Sequence, residues 1–266
     1  MASLAVYETK GVMRVKKTLI AVPCFDMVHS DFFESFVNLI KPEGSSWTMV
    51  RDTLINEARN IIAANAIKAE FDRVMWFDSD MKFEPDTLVR LAQDMDENNL
   101  DFVTGLYFTR RPPIKPCVFS ELHWQKDENG HFDAGSEYFF NYPDGLSEIS
   151  GSGFGCCLTT VDLLKRVGDT FGAPFAPLEG MGEDVSFCWR VIQIGAKMHI
   201  DTRVKCGHVG QYEYNENAMK FFGIGAEEKA KDFRRHMFNR CMALSHGETC
   251  NLCAYKDECT AERTLK

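Results

Sequence analysis

Val74-Met75-Trp76-Phe77-Asp78-Ser79-Asp80 is an apolar run that stops on two carboxylates held one residue apart. Four large apolar residues without a polar partner predict a buried strand. Successive strand side chains point to opposite faces, which puts Asp78 and Asp80 on one face. At the carboxyl end of a parallel strand, where open α/β sheets bind ligands, such a pair can hold a divalent cation through hard oxygen ligands. The pair by itself is weak evidence, because a chain with 39 acidic residues contains an Asp-x-Asp about once by accident. Asp94-Met95-Asp96 is such an accident: it falls at the polar end of a predicted helix, where residues two apart do not face each other. The surroundings of Asp78 and Asp80 carry the reading.

Upstream, Leu19-Ile20-Ala21-Val22-Pro23 reads as a first buried strand, followed by a polar turn and an amphipathic segment over 31–40. Residues 57–69 follow helical spacing, with Ala58, Ile61, Ile62 and Ala66 on one side, and feed the strand that ends at Asp78. Downstream, Pro85 suits the first turn of a helix over 85–95, and Phe102-Val103-Thr104 supplies another strand. Residues 107–147 change texture to prolines, aromatics and a Glu128-Asn129-Gly130 turn, and predict hairpins and loops. A strand over 154–159, a short helix over 162–167, a loop over 172–182 and a helix over 183–194 follow. In that last helix Val185, Trp189 and Ile192 are spaced for one apolar face. The repeated strand-helix-strand rhythm predicts an α/β chain with a mostly parallel sheet and covering helices.

The chain has 266 residues, 45% hydrophobic and 26% charged, which fits one large α/β domain or a domain with a small appendage. The expected division is a domain over 1–215 and a helical tail with a cysteine-rich end over 216–266. The first 17 residues carry Lys10, Arg14, Lys16 and Lys17 and no uninterrupted apolar stretch, so they do not read as a secretory signal. No apolar run approaches the roughly 20 residues of a membrane helix, and the sequence predicts a soluble, cytoplasmic protein. Its 10 cysteines are then expected as free thiols or metal ligands rather than disulfides. A net charge of −9 disfavours a broadly nucleic-acid-coated surface, although a local basic strip could still guide a phosphate backbone.

The motifs, taken in order, resemble nucleotide-sugar-dependent glycosyltransferases of the GT-A (Rossmann-like) fold, a large family that includes many inverting enzymes. The resemblance spans roughly residues 18–210. It rests on Ile20-Ala21-Val22-Pro23, Glu57-Ala58-Arg59-Asn60, Trp76-Phe77-Asp78-Ser79-Asp80-Met81, Gly151-Ser152-Gly153-Phe154, Gly182-Glu183-Asp184 and Gly207-His208. Their shared order is far more specific than any one of them.

The resemblance implies a nucleotide pocket that includes Pro23, Arg59 and Asn60, with Asp78 near the ribose and Ser79 beside it. Asp78 and Asp80 would hold Mn²⁺ or Mg²⁺ on the diphosphate, because a departing nucleoside diphosphate gathers negative charge that a metal stabilises. His208, between Gly207 and Gly210, would be the remaining protein ligand, and an imidazole suits Mn²⁺ better than Mg²⁺. Taken alone, Arg59 can also be read as a helix-start arginine in a surface ion pair, and His208 as a hydrogen-bonded histidine near the sheet edge. Glu183 and Asp184 start a predicted helix, where carboxylates also serve as caps. In inverting relatives the Asp of this motif removes the acceptor proton, which makes Asp184 the candidate base and Glu183 a positioning residue; the sequence leaves a swap between them open. Gly153 would leave room for sugar or acceptor, since this glycine-rich stretch lacks the Lys-Ser/Thr ending of a phosphate loop. Trp124, Tyr138, Phe139, Phe140 and Tyr142 could stack on a sugar or base.

The donor implied is a nucleotide-sugar, UDP-linked as the commonest case. The acceptor is open: a saccharide, a protein or lipid head group, or a hydroxymethylated base in phage DNA, with Arg110-Arg111, Lys115 and Arg234-Arg235 available for phosphates. A haloacid-dehalogenase-like phosphatase also begins from an apolar strand ending in Asp-x-Asp, and a non-catalytic nucleotide-binding module would retain the fold. At the end of the chain, Cys241, Cys250, Cys253 and Cys259 have a spacing that suits structural Zn²⁺ or an iron-sulfur cluster, with His246 in reserve. The sequence leaves the oligomeric state open.

Overall fold

The computed structural model describes residues 14–126, 128, 132–210 and 213–222. In chain order the first half runs β1 (Thr18–Pro23), α1 (Ser30–Asn38), β2 (Ser45–Val50), α2 (Ile55–Lys68), β3 (Arg73–Phe77), β4 (Met81–Lys82), α3 (Thr87–Asn98) and β5 (Phe102–Leu106). The second half continues with β6 (Val118–Lys126), β7 (Phe132–Tyr138), β8 (Leu146–Ile149), β9 (Gly151–Ser152), β10 (Cys156–Thr160), α4 (Val161–Phe171), α5 (Glu183–Gln193), β11 (Met198–Lys205), β12 (Gly207–Val209), β13 (Glu213–Tyr214) and α6 (Glu216–Phe222).

The central sheet has seven strands in the order β2-β1-β3-β10-β5-β11-β8. β1, β2 and β3 are mutually parallel, β5 and β11 are parallel, and β10 lies antiparallel between β3 and β5. Five strands therefore point one way, with β10 and the edge strand β8 reversed. The largely apolar sequences of β1, β3 and β5 follow from burial on both faces. One face carries the core of Trp76, Phe154, Phe175 and Phe187 under α2, α4 and α5; the other carries Ile20, Met75, Phe77 and Leu91 under α1 and α3. This mixed α/β, mostly parallel arrangement fits the GT-A type of fold expected from the sequence.

Two smaller sheets complete the frame. β4, β12 and β13 form one, with His208 opposite Met81; β7, β6 and β9 form the other, as the expected hairpin region. Asn129 and Gly130 of the expected turn lie outside the described residues.

Several local expectations need correction. β2 has no counterpart in the sequence reading, because as an edge strand it is only half covered and shows no apolar run. Ile61 is exposed, and Arg59 takes its place on the buried side of α2. The helix expected from Pro85 begins at Thr87, since the Pro85 carbonyl accepts the Ile40 amide instead of opening a helix. α4 extends to Phe171, held at its start by the Thr160 hydroxyl, which accepts the Leu163 amide at 3.1 Å. α5 buries Ser186, Phe187, Cys188, Arg190 and Val191 rather than the Val185–Trp189–Ile192 stripe. The polar members of that buried face are satisfied: Ser186 accepts the Leu178 amide and Arg190 donates to the Pro174 carbonyl.

The cysteine expectation holds for the described residues: Cys24, Cys117, Cys156, Cys157, Cys188 and Cys206 are all free, and all but Cys117 are buried. Cys241, Cys250, Cys253, Cys259, His246, Arg234-Arg235 and the charged helix expected over 226–240 lie outside the described residues. Among the described residues no helix is long and apolar enough to cross a membrane.

Candidate active site

β3 ends at Phe77, where its pairing with β10 stops at Cys156. Asp78, Ser79 and Asp80 form a turn beyond it, not a continuation of the strand. Strand alternation therefore does not set the directions of the two carboxylates. The turn is held from three sides: the Asp78 amide donates to the Gly155 carbonyl at 3.1 Å, the His29 amide to the Ser79 carbonyl at 2.9 Å and the Val209 amide to the Asp80 carbonyl at 2.7 Å. The loops after β1 and β9 and the end of strand β12 so meet at the carboxyl end of β3, where an open α/β sheet binds ligands.

Arg59 is the centre of the site. It is 2% exposed, and it bridges two chain segments, donating to Glu183 Oε1 at 2.7 Å and to Asp78 Oδ1 at 2.8 Å. Its guanidinium also lies over the Phe154 ring at 5.1 Å. Burial acts against its charge, but Asp78, Glu183 and Asp184 outweigh burial and raise its pKa above the ordinary arginine value. Its Nε has no partner among the described residues. Of the two sequence readings for Arg59, the surface ion pair is corrected: the Arg59 side chain is buried, and it ties the half-buried Asp78 beyond β3 to Glu183 at the start of α5.

Glu183 and Asp184 open α5 after Gly182. Asp184 Oδ1 accepts the Val185 amide at 2.7 Å, as expected of a carboxylate at a helix start. Burial raises the Asp184 carboxyl pKa, and Arg59 and the Val185 amide only partly offset it. Glu183 is raised as well, first by burial and then by neighbouring Asp184, against the pull of Arg59. Two adjacent carboxylates are thus held in a setting that favours taking up a proton.

Asp80 faces a different set of partners. Its Oδ2 accepts from Arg110 Nη1, and its Oδ1 lies 3.4 Å from His208 Nε2. Burial raises the Asp80 carboxyl, but His208 and Arg110 outweigh it and hold the pKa below the ordinary value. His208 Nδ1 lies 2.9 Å from the Phe108 carbonyl oxygen. A carbonyl only accepts, so Nδ1 carries a proton, and Nε2 is the ring nitrogen turned toward Asp80. Such a donor pair, one carboxylate oxygen and one imidazole nitrogen, fits Mn²⁺. Among the described residues no group of three or more His, Cys, Asp or Glu side chains is arranged to hold an ion. Asp78, turned to Arg59, does not complete one, and two protein ligands suit a cation that takes its remaining ligands from substrate phosphates and water.

The other expected residues fall around this centre. Pro23 is buried at the end of β1, and the loop beyond it exposes Phe25 at 69% and Met27 at 75%. The Asp52 amide donates to the Phe25 carbonyl at 3.0 Å, and Leu54 is also exposed. Asn60 uses its side-chain oxygen to accept the Phe175 amide at 2.9 Å. Gly153 lacks a side chain for a local reason: a Cβ there would meet the Tyr107 hydroxyl at 2.1 Å, with Asp184 Oδ2 3.5 Å away.

Tyr107 is the residue that the sequence reading missed. Buried at the end of β5, it accepts the Gly155 amide through its hydroxyl at 3.0 Å and sets its ring edge-on to His208 at 5.8 Å. A polar tip closing an apolar strand, the same signal that marked Asp78, was present in Phe102–Leu106 followed by Tyr107. Cys117 was also missed; burial and the charges of Asp184 and Asp78 push its thiol pKa up, so it is a poor thiolate. Of the expected aromatic surface, Trp124 stacks on Phe132 at 4.6 Å and donates to the Glu179 carbonyl at 3.0 Å. Tyr138 packs on Phe119 at 5.2 Å, below Lys115 at 4.5 Å. Phe139 and Tyr142 pack against the core, and Phe140 is exposed.

No family model and no curated protein matches the sequence. Among solved structures, the chain is similar to the crystal structure of A197 from STIV, with a TM-score of 0.54 and 16% identity over 73% of this chain and 86% of that one. It is also matched to the crystal structure of GalNAc-T7 with UDP, GalNAc and Mn²⁺, with a TM-score of 0.49 and 10% identity over 75% of this chain. The chain spans only 45% of that second protein. The likeness to A197 is one of fold.

Proposed function

We propose that the chain is a metal-dependent glycosyltransferase that moves a sugar from a nucleotide-sugar, UDP-linked as the first candidate, to an acceptor hydroxyl with inversion. The observation that carries this reading is the division of labour among the carboxylates. One pair, Glu183 and Asp184, sits where burial favours the protonated form. Asp80 instead sits beside an imidazole and a guanidinium that favour the ionised form. Environments that push carboxyl groups apart assign acid-base and charge-binding roles.

In this reading Asp184 takes the acceptor hydroxyl proton while the acceptor oxygen attacks the anomeric carbon. The bond from that carbon to the diphosphate breaks, and its electron pair leaves with the nucleoside diphosphate. Asp80 and His208 would hold a divalent cation, which supplies Lewis-acid stabilisation of the leaving diphosphate. Arg59 fixes Glu183 and Asp78 relative to each other. The exposed Phe25 and Met27 in the loop after β1 offer apolar surface for the base. Two of the basic residues available for a DNA acceptor are engaged within the molecule, Arg110 with Asp80 and Lys115 over Tyr138.

The test is a thermal-shift series with UDP, GDP, CDP and ADP, each with and without Mn²⁺. One nucleotide should stabilise the fold in a Mn²⁺-dependent way, by about 2.7 kcal/mol at roughly 100 times its dissociation constant, and Asp80→Asn should abolish the shift. Asp184→Asn should keep the shift and lose transfer. No shift with any nucleotide, or normal turnover by Asp184→Asn, would sink the proposal.

A further inference from the structure

Asp78 and Asp80 each have an arginine, and the two arginines are built differently. Arg59 is locked: its side chain is 3% exposed and held by two carboxylates. Arg110 is 48% exposed and reaches Asp80 alone from the loop after β5. That loop is itself anchored. The Thr109 amide donates to the Lys115 carbonyl at 2.9 Å, the Lys115 amide to the Thr109 hydroxyl at 3.1 Å, and Ile114 is fully buried. The guanidinium can leave Asp80 by side-chain rotation, with no change in the loop backbone. Phe108, two residues before Arg110, supplies the carbonyl that fixes the His208 ring, so one short segment controls both proposed cation ligands.

We infer that Arg110 is a counter-ion that changes partner: it neutralises Asp80 until a divalent cation takes that carboxylate, then turns to the phosphates of the bound donor. A double positive charge on Asp80 makes the same spot repulsive for a guanidinium. The strongest acceptor then within reach is a diphosphate, whose oxygens match the arginine fork. Arg110 would thus hold the site in a charge-balanced state without ligand and add positive charge at the leaving group once the donor is bound. The inference rests on the transferase reading above, because a site without a phosphorylated ligand gives Arg110 nothing to turn to.

Two affinities test it, and they should move in opposite directions. Binding of Mn²⁺ alone, followed by the loss of the free-ion electron paramagnetic resonance signal, should tighten in Arg110→Ala by about two- to fivefold, the worth of one partly exposed ion pair. Binding of UDP at saturating Mn²⁺, followed by calorimetry, should weaken in the same variant by about tenfold or more, as expected for one lost charge-assisted contact. Arg111→Ala removes a neighbouring exposed charge and should move neither affinity, which separates partner exchange from a general field effect. Arg110→Lys keeps the charge without the fork and should fall between. An unchanged thermal midpoint in each variant shows that the fold is intact. Wild type that binds both probes while Arg110→Ala leaves Mn²⁺ affinity unchanged or weaker, or leaves UDP affinity unchanged, overturns the inference alone. Wild type that binds neither probe overturns the transferase reading and this inference with it.

Discussion

Asp184 makes opposite demands on stability and on chemistry. Its carboxyl pKa is raised in the fold by burial, so the folded state holds its proton to higher pH than the unfolded chain does. By linkage, its contribution to stability is lost as pH rises through the folded pKa, and the ionised group costs stability at neutral pH. Asp184→Asn keeps an oxygen for the Val185 amide and removes the buried charge. The variant should have a higher thermal midpoint than wild type at pH 7, with the difference shrinking as pH falls through the raised folded pKa toward the ordinary aspartate range. Transfer should fall by about 10²- to 10⁴-fold. Wild-type transfer should show an acid limb above the ordinary aspartate pKa, as the base is protonated. Scanning calorimetry and a pH-rate profile measure both; a less stable Asp184→Asn would refute the assignment of a strained base. At this scale the sequence identified the residue types but not their partners. Arg59 stood out by its place in a motif, whereas its burial between Asp78 and Glu183 depends on segments that are distant in the chain.

Between elements, α3 and β11 are joined by a second acidic pair far from any motif. Asp94 on α3 and Asp201 on β11 are both buried, and Arg203 binds Asp201 Oδ1 through Nε at 2.8 Å and Asp94 Oδ1 through Nη2 at 3.4 Å. Burial and the neighbouring Asp201 push the Asp94 carboxyl up to about 6. Because this folded pKa is raised, the associated stability is present below about pH 4 and is lost as pH rises to about 6. Asp94→Asn should keep a hydrogen-bond donor toward Asp201 at all pH values. We expect it to stabilise the fold at pH 7 by on the order of 1–2 kcal/mol and to flatten the stability change between those limits. Urea titrations across that range measure it, and a destabilised variant at pH 7 would refute the shared-proton account. The neighbouring Asp96 turns away from this pair, to Arg73 and Lys16. Helical periodicity placed Asp94 and Asp96 apart; nothing local marked Asp201 as the partner.

Across the whole molecule, the net charge of −9 and the internal use of Arg110 and Lys115 bear on the acceptor. A duplex containing a hydroxymethylated base should bind weakly, with affinity changing little with salt. A protein that makes about 6–10 phosphate contacts loses roughly 10³- to 10⁵-fold in affinity between about 50 and 200 mM salt. A dependence of that size, measured by fluorescence anisotropy on the full chain, would install DNA as the acceptor.

The sequence by itself determined the buried strands β1, β3 and β5, the helices that cover them and the order of the acidic motifs. These are local properties: unbroken apolar runs belong to strands covered on both faces, and helical periodicity is written within a single segment. The tertiary structure alone decided that β10 runs antiparallel between β3 and β5 and that β2 forms an edge. It also turned Asp78 toward Arg59 and Asp80 toward His208 and Arg110, and it filled the space at Gly153 with Tyr107. Those outcomes depend on which distant segment approaches a given atom, and hydrogen bonding and charge in a buried site are set by that approach rather than by the residue's neighbours in sequence.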